Sequence, residues 1–317
     1  MNTPAKETRM RTNARRILPV VTVGALALAA CGSSDEAEPA STDAAVDEGL
    51  AETESEAPAD EPEAAPADDS CSNTLEDGVL TLATGEPAFE PWVVDNAPES
   101  GEGFEAAVGM AVAREMGYEG DAVTWVRAGF DEAIQPGAKN FDMNIQQFSV
   151  TDEREASVDF SLPYYTGNQA LLALDGSAAE GASIADLKGL QLGAQSGTTS
   201  LQFITEVIQP DAEPLVYDDN SAVKAALEAN QLDAAVFDLP TALFVSAVEI
   251  EGSSVIGQFT RDTGGQGDEL AFVLENDSPL KPCVDAALTA LTDSGELGEI
   301  TDQWLEVGDV APIIPAE

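Results

Sequence analysis

The chain contains no histidine, three cysteines, and only 13 lysines and arginines against 59 aspartates and glutamates in 317 residues. Without histidine, no His-dependent catalytic triad and no Cys/His zinc finger can be assembled. A net charge of −46 repels nucleic acid and anionic lipid, so neither is expected as a partner. It also points to a salt-rich setting, where ions screen self-repulsion. No G-x-x-x-x-G-K-[ST] loop occurs, so any ATP hydrolysis lies in another chain. Ser221-Ala222-Val223-Lys224 matches S-x-x-K, but no S-D-N or K-T-G accompanies it, and it reads as one face of a helix. No paired acid and base stand out, so no enzymatic activity, cofactor or metal is expected.

Long apolar runs are equally scarce. Ile17 to Ala30 is one, preceded by Lys6, Arg9, Arg11, Arg15 and Arg16. It is too brief to span a bilayer as a helix and reads as an export signal over residues 1–30. The run ends Leu28-Ala29-Ala30-Cys31-Gly32, which resembles the lipobox of bacterial lipoproteins. That resemblance implies a lipid on Cys31, holding the protein on the outer face of the cell membrane; an ordinary cleavage site beside a cysteine is the alternative. Residues 31–70 are mostly Ala, Glu, Asp, Pro and Ser, with almost no large apolar residue and no Lys or Arg from Gly32 to Ser70. Such a stretch cannot bury enough surface to offset its ordering entropy and is expected to be a disordered acidic tether. At about 40 residues it reaches roughly 35 Å, enough to lift a domain off a membrane. With Cys31 assigned to lipid, Cys71 and Cys283 remain as an even pair in an oxidising compartment, and a disulfide is expected between them. Two free thiols are the alternative.

From Cys71 onward the chain is long enough for two lobes. Gly78 to Ala83 reads as a strand, and Phe104, Ala107, Val108, Ala111, Val112 and Met116 mark a helical stripe. Ala122 to Val126, a short helix over Asp131 to Gln135, and Asp142 to Gln146 follow. This βαβαβ rhythm predicts a mostly parallel sheet flanked by helices. It restarts with strands over Gln169 to Leu174, Gly189 to Ala194, Pro214 to Tyr217 and Ala234 to Phe237, with helices between them. Two α/β lobes place the default ligand site in the cleft between them, outside the carboxyl ends of the strands.

The densest signal is Phe141 to Tyr165, FDMNIQQFSVTDEREASVDFSLPYY. Here the chain resembles the extracellular solute-binding proteins that serve polar amino-acid importers. Its S-V-T-D-E-R at 149–154 and V-D-F-S-L-P-Y at 158–164 follow that family's pattern. Further matches run from Gly78 to about Leu305: Gly103-Phe104, Ser196-Gly197-Thr198-Thr199, Leu232 to Asp238, and a closing helix from Gly295 to Trp304. The resemblance implies a two-lobed, type II periplasmic-binding-protein-like fold. Lobe 1 is expected over 71–165 plus 261–317 and lobe 2 over 166–260, joined by two hinge strands. The Cys71–Cys283 bridge would then lie within lobe 1.

A free amino acid is a zwitterion, so its site needs an anion clamp and a cation partner. Arg154 can pair bidentately with an α-carboxylate, with the Ser149 hydroxyl and amide assisting. Ser196 to Ser200 precedes a helix, whose free N–H groups favour anions while its first hydroxyls also cap it. By resemblance, Thr198 and Thr199 contact the carboxylate from lobe 2, and Asp238 accepts the α-ammonium. Phe89 and Phe130 align with positions that sandwich the ligand, with Trp92 nearby. Glu86 falls where relatives carry an acid facing the ligand side chain, which favours a polar or cationic one. Gln147 and Gln195 are expected as extra pocket donors, where relatives often have small or basic residues. The expected protein is a monomer that binds a free amino acid and docks on the permease of an ABC importer. A dehydratase-type enzyme on the same fold, or a ligand-sensing module for a receptor, are the alternatives.

Overall fold

A computed structural model describes residues 69–265, 267–305 and 311–317. The expected signal segment, Cys31 and the tether up to Asp68 lie outside the described residues. The strands are β1 (Leu80–Thr84), β2 (Val123–Arg127), β3 (Met143–Asn144), β4 (Val158–Phe160), β5 (Tyr165–Gly167) and β6 (Gln169–Leu174). They continue with β7 (Leu192–Gln195), β8 (Leu215–Tyr217), β9 (Ala234–Asp238), β10 (Ser253–Phe259), β11 (Asp268–Leu270) and β12 (Val273–Glu275). Helices α1 (Phe104–Glu115), α2 (Phe130–Ala133), α3 (Asp152–Glu155) and α4 (Ile184–Leu187) precede α5 (Thr199–Phe203) and α6 (Asn220–Glu228). Then come α7 (Leu239–Phe244), α8 (Lys281–Ser294) and α9 (Glu296–Leu305).

Two five-stranded sheets form, ordered β2-β1-β3-β12-β4 and β10-β6-β9-β7-β8. Both are mostly parallel in direction, as expected, with one reversed strand each, β12 in the first and β6 in the second. In the first, β1 pairs in parallel with β2 and β3, while β12 runs antiparallel to β3 and β4. In the second, β7 is parallel to β8 and β9, and β6 runs antiparallel to β9 and β10. The antiparallel strands lie where the chain enters or leaves a lobe, a crossing that a repeated βαβ reading does not anticipate. The chain passes between the sheets through an antiparallel ribbon of β5 and β11, with Tyr165 opposite Leu270 and Gly167 opposite Asp268.

Burial on both faces makes β6 a continuous apolar run, as expected for an interior strand. Leu171 and Ala173 join Phe203, Ile204 and Phe259 on one side; Ala170 and Leu172 join Val223, Leu227 and Phe237 on the other. In the first lobe, Phe104, Val108 and Val112 of α1 pack against Val284, Leu288 and Leu291 of α8. Gly103, before α1, has φ +102, and a side-chain carbon there would sit 2.5 Å from the Trp92 carbonyl oxygen. Only glycine fits both demands, and its absence of a side chain fixes the loop carrying Trp92 against the helix start. Cys71 and Cys283 form a disulfide with Cα atoms 5.7 Å apart, tying the first described residues to α8.

One assignment is corrected. Residues 311–317 pack on the second sheet, not on lobe 1. The Gln258 amide donates to the Pro312 carbonyl (2.7 Å), the Ile314 amide to the Gln258 carbonyl (3.0 Å), and the Ile184 amide to the Pro315 carbonyl (2.9 Å). Buried Ile314 fills the cluster around Leu171 and Phe259, and the tail covers the open edge of β10.

Candidate ligand-binding site

A cavity of about 300 Å³ opens between the lobes, at the carboxyl ends of β1, β2, β7, β8 and β9. Glu86, Phe89, Phe130, Gln147, Ser149 and Arg154 line it from the first lobe; Gln195, Thr198, Thr199 and Asp238 line it from the second. All the residues singled out from the sequence as ligand contacts therefore border one space, although they come from separate loops. Trp92 does not. It is fully buried, edge-on to Phe104 and Tyr165.

Arg154 sits in α3, where the Thr151 hydroxyl caps the helix by accepting the Arg154 amide at 3.3 Å. It is buried, with 8% of its surface exposed. Nη1 donates to the Ser149 carbonyl at 2.6 Å and Nη2 to the Gly197 carbonyl, across the cleft, at 2.9 Å. The guanidinium lies 5.5 Å from the centre of the Phe130 ring, which is itself stacked on Phe148 at 4.5 Å. Burial pulls its pKa down, while Asp268, Glu153 and Asp131 act the other way. Among the described residues no carboxylate comes within ion-pair distance of it. A buried cation of this kind is costly unless an anion joins it.

On the opposite wall, Asp238 caps α7. Its Oδ1 accepts the Thr241 amide and its Oδ2 the Thr241 hydroxyl, each at 2.8 Å. Burial pushes its pKa from 3.8 up to about 6, with Asp268 adding to the rise. Capping and facing the cavity are thus combined in one carboxylate. Thr198 likewise caps α5, accepting from the Leu201 amide at 3.2 Å and donating to the Gln195 carbonyl at 2.7 Å. Its hydroxyl is engaged, which leaves Thr199 as the more available one. The Thr199 hydroxyl lies 3.3 Å from that of Ser149 across the cleft.

Two expected contacts are modified by their neighbours. Gln147 borders the cavity, but its side-chain amide donates to Glu105 and its backbone amide donates to the same carboxylate at 2.7 Å. Its donor therefore faces the interior, and its φ of +50 is held by that pairing. Glu86 is shared with Arg127 (3.4 Å) and the Asn96 side-chain amide (3.0 Å), so part of its charge is already compensated. Phe89 carries Lys224 of the other lobe 5.0 Å above its ring.

Several site residues escape a reading of the sequence. Asp218, Asp219, Gln146, Gln169 and Asp268 line the cavity. Gln146 Oε1 is buried and has no hydrogen-bond partner among the described residues, and Gln169 joins Asp268 and Thr199 through its side-chain amide. Glu105, fully buried on α1, supports the site from behind; burial raises its pKa from 4.5 to about 7 despite donors from Tyr164 and Gln147. An acid inside an otherwise apolar helical stripe is the signal that marks it. Glu86, Asp218, Asp219, Asp238 and Asp268 make the walls acidic around a single lining arginine.

Residues 80–307 match the family model of the bacterial extracellular solute-binding proteins, family 3. The chain belongs to that family. An L-arginine-binding protein of Pseudomonas aeruginosa is 28% identical over 226 residues, covering 69% of this chain and 85% of that one. A probable histidine-binding protein of Campylobacter jejuni is 32% identical over 198 residues, covering 61% of this chain and 72% of the other. Among solved structures, an ancestral arginine-binding protein bound to glutamine is 27% identical, with a TM-score of 0.62, covering 73% of this chain and 100% of that one. These family 3 relatives are binding proteins, and amino-acid binding is the shared activity. The family is extracellular, and among the described residues no helix is long and apolar enough to cross a membrane.

Proposed function

We propose that this protein captures a free amino acid with a polar or cationic side chain outside the cell and hands it to an ABC importer. It is anchored by lipid at Cys31 and acts as a monomer whose lobes hinge at the β5–β11 ribbon. The observation that carries the reading is Arg154, a buried guanidinium with no carboxylate partner among the described residues, facing a cavity with otherwise acidic walls. An α-carboxylate supplies the missing anion, held bidentately. Asp238 receives the α-ammonium, and Glu86, Asp218 and Asp219 give the remaining space a negative field that favours a protonated side chain. Relatives that bind arginine and histidine support the same ligand class. Closing the lobes on such a ligand brings Arg154, Thr199 and Ser149 onto it from both sides, as in other hinge closures.

A thermal-shift screen of the purified protein against the twenty amino acids tests this. Selective native-state binding stabilises by about 2.7 kcal/mol at a hundredfold excess over Kd. The expected result is a large shift with arginine, lysine, histidine or glutamine and none with aspartate or glutamate. No shift with any amino acid would remove the proposal.

A further inference from the structure

Asp238 does not hold its position alone. Thr241, one turn into α7 and buried, donates its amide to one carboxylate oxygen and its hydroxyl to the other, each at 2.8 Å. The same hydroxyl accepts a hydrogen bond of 2.8 Å from the indole Nε1 of Trp92, a residue 149 positions away in the first lobe. An indole nitrogen can only donate, and a threonine hydroxyl has one proton to give. The polarity of this chain of bonds is therefore fixed: with the indole donating to Thr241, the hydroxyl proton is directed at Asp238. Trp92 is well placed to impose this. It is fully buried, packed edge-on against Phe104 and Tyr165, and its carbonyl accepts the Glu105 amide at the start of α1.

We propose that Trp92 is a positioning residue for ligand binding, which acts through the Thr241 hydroxyl to hold the ammonium-accepting carboxylate of Asp238 only when the two lobes are together. The inference rests on the proposed role of Asp238. It adds that one lobe reaches into the other to complete the cation-binding half of the site, so closure and ammonium recognition are linked by one side chain. The remaining groups coupled electrostatically to Asp238 act in the opposite sense. Asp268 of the ribbon, Glu105, Tyr164 and Tyr165 are acids or phenols that disfavour its charge or are disfavoured by it.

The test is the affinity of the full chain for L-arginine and L-glutamine by calorimetry, measured across the pH range in which Asp238 titrates. In the wild type, affinity falls as pH drops through about 6, the value to which burial raises Asp238, because a protonated carboxyl no longer pairs with the ammonium. Trp92→Phe keeps the aromatic volume and removes only the donor. It is expected to weaken binding about tenfold at neutral pH, the worth of one buried hydrogen bond to a charged network. It should also move the midpoint of the pH profile upward, since a less well-solvated carboxylate protonates more readily. Thr241→Val should do the same from the other lobe, Thr241→Ser should bind like the wild type, and the Trp92→Phe/Thr241→Val pair should be no weaker than Thr241→Val alone. Wild-type affinity in Trp92→Phe, a loss without a midpoint shift, or additive losses in the pair would overturn the proposal. Absence of binding by the wild type to these two ligands, together with no thermal shift from any of the twenty amino acids, would instead sink the amino-acid reading on which it rests. If Thr241→Val fails to fold, the comparison of Trp92→Phe with Thr241→Ser still decides.

Discussion

The Arg154 guanidinium donates to the Gly197 carbonyl oxygen at 2.9 Å, so a side chain of the first lobe grips the backbone of the second. A carbonyl is a dipole, not a charge, and it leaves the guanidinium electrostatically unsatisfied. On the proposed reading, an arriving carboxylate forms the stronger contact and keeps both lobes engaged through one residue. Arg154→Ala is expected to reduce amino-acid affinity at least a hundredfold, at about 1.5–3 kcal/mol for each hydrogen bond to a charge. The fold should survive, as judged by an unchanged circular dichroism spectrum. Arg154→Lys should recover little of the affinity, because an ammonium lacks the planar two-point geometry. A variant that binds like the wild type would refute the clamp.

Glu105 should make stability depend on pH. Its carboxyl rises from 4.5 to about 7 in the folded state, so the folded protein holds a proton that the unfolded chain releases. Its contribution is fully present below its unfolded value and is lost as pH rises through about 7. The size is on the order of 3 kcal/mol. Glu105→Gln cannot titrate, so the difference in urea stability between about pH 5 and about pH 8 should narrow in that variant. An unchanged difference would mean that Glu105 is ionised in the folded protein at both pH values.

The disulfide joins positions 212 residues apart, and both cysteines belong to the first lobe, away from the cleft. Reduction releases a long loop in the unfolded chain and should cost about 4 kcal/mol of stability. Ligand affinity measured on the reduced, still-folded protein should stay within about twofold, because no cavity residue is tied by the bridge. A large loss of affinity would show that the bridge shapes the cleft.

Salt should stabilise the protein. With a net charge of −46, self-repulsion disfavours the compact state, and screening over about 10 Å at 0.1 M relieves it. Thermal unfolding is expected to move upward steadily as sodium chloride rises toward about 1 M, where screening is nearly complete. A flat response would show that the acids are placed too far apart to repel appreciably.

Part of the site is legible in the sequence because its chemistry is local. The run from Ser149 to Arg154 carries its own cap, the Thr151 hydroxyl, and turns the guanidinium back onto the Ser149 carbonyl. The extent of β6 is legible because the apolar run Ala170 to Leu174 is too short for a typical helix and is bounded by Gln169 and Asp175. Gln147 shows the limit. Its presence at the cavity edge follows from its place after β3, but its side chain is drawn inward by Glu105, 42 residues away. Glu86 reads as a free acid, yet Arg127, at the end of the neighbouring strand, neutralises part of it. The tail after residue 310 follows lobe 1 in chain order, and the edge of β10 claims it instead.

Short stretches of sequence suffice for the alternating α/β elements and the set of side chains able to meet a zwitterion, and the count of cysteines for the expectation that Cys71 pairs with Cys283. Periodicity, cysteine number and functional-group chemistry are all properties that need no knowledge of distant neighbours. Which of those groups remain free is settled only when the chain is folded. Whether a carboxylate faces a ligand, an arginine or a buried glutamine depends on contacts between residues far apart in the chain. So does the meeting of Trp92 with Thr241 over the acid they support.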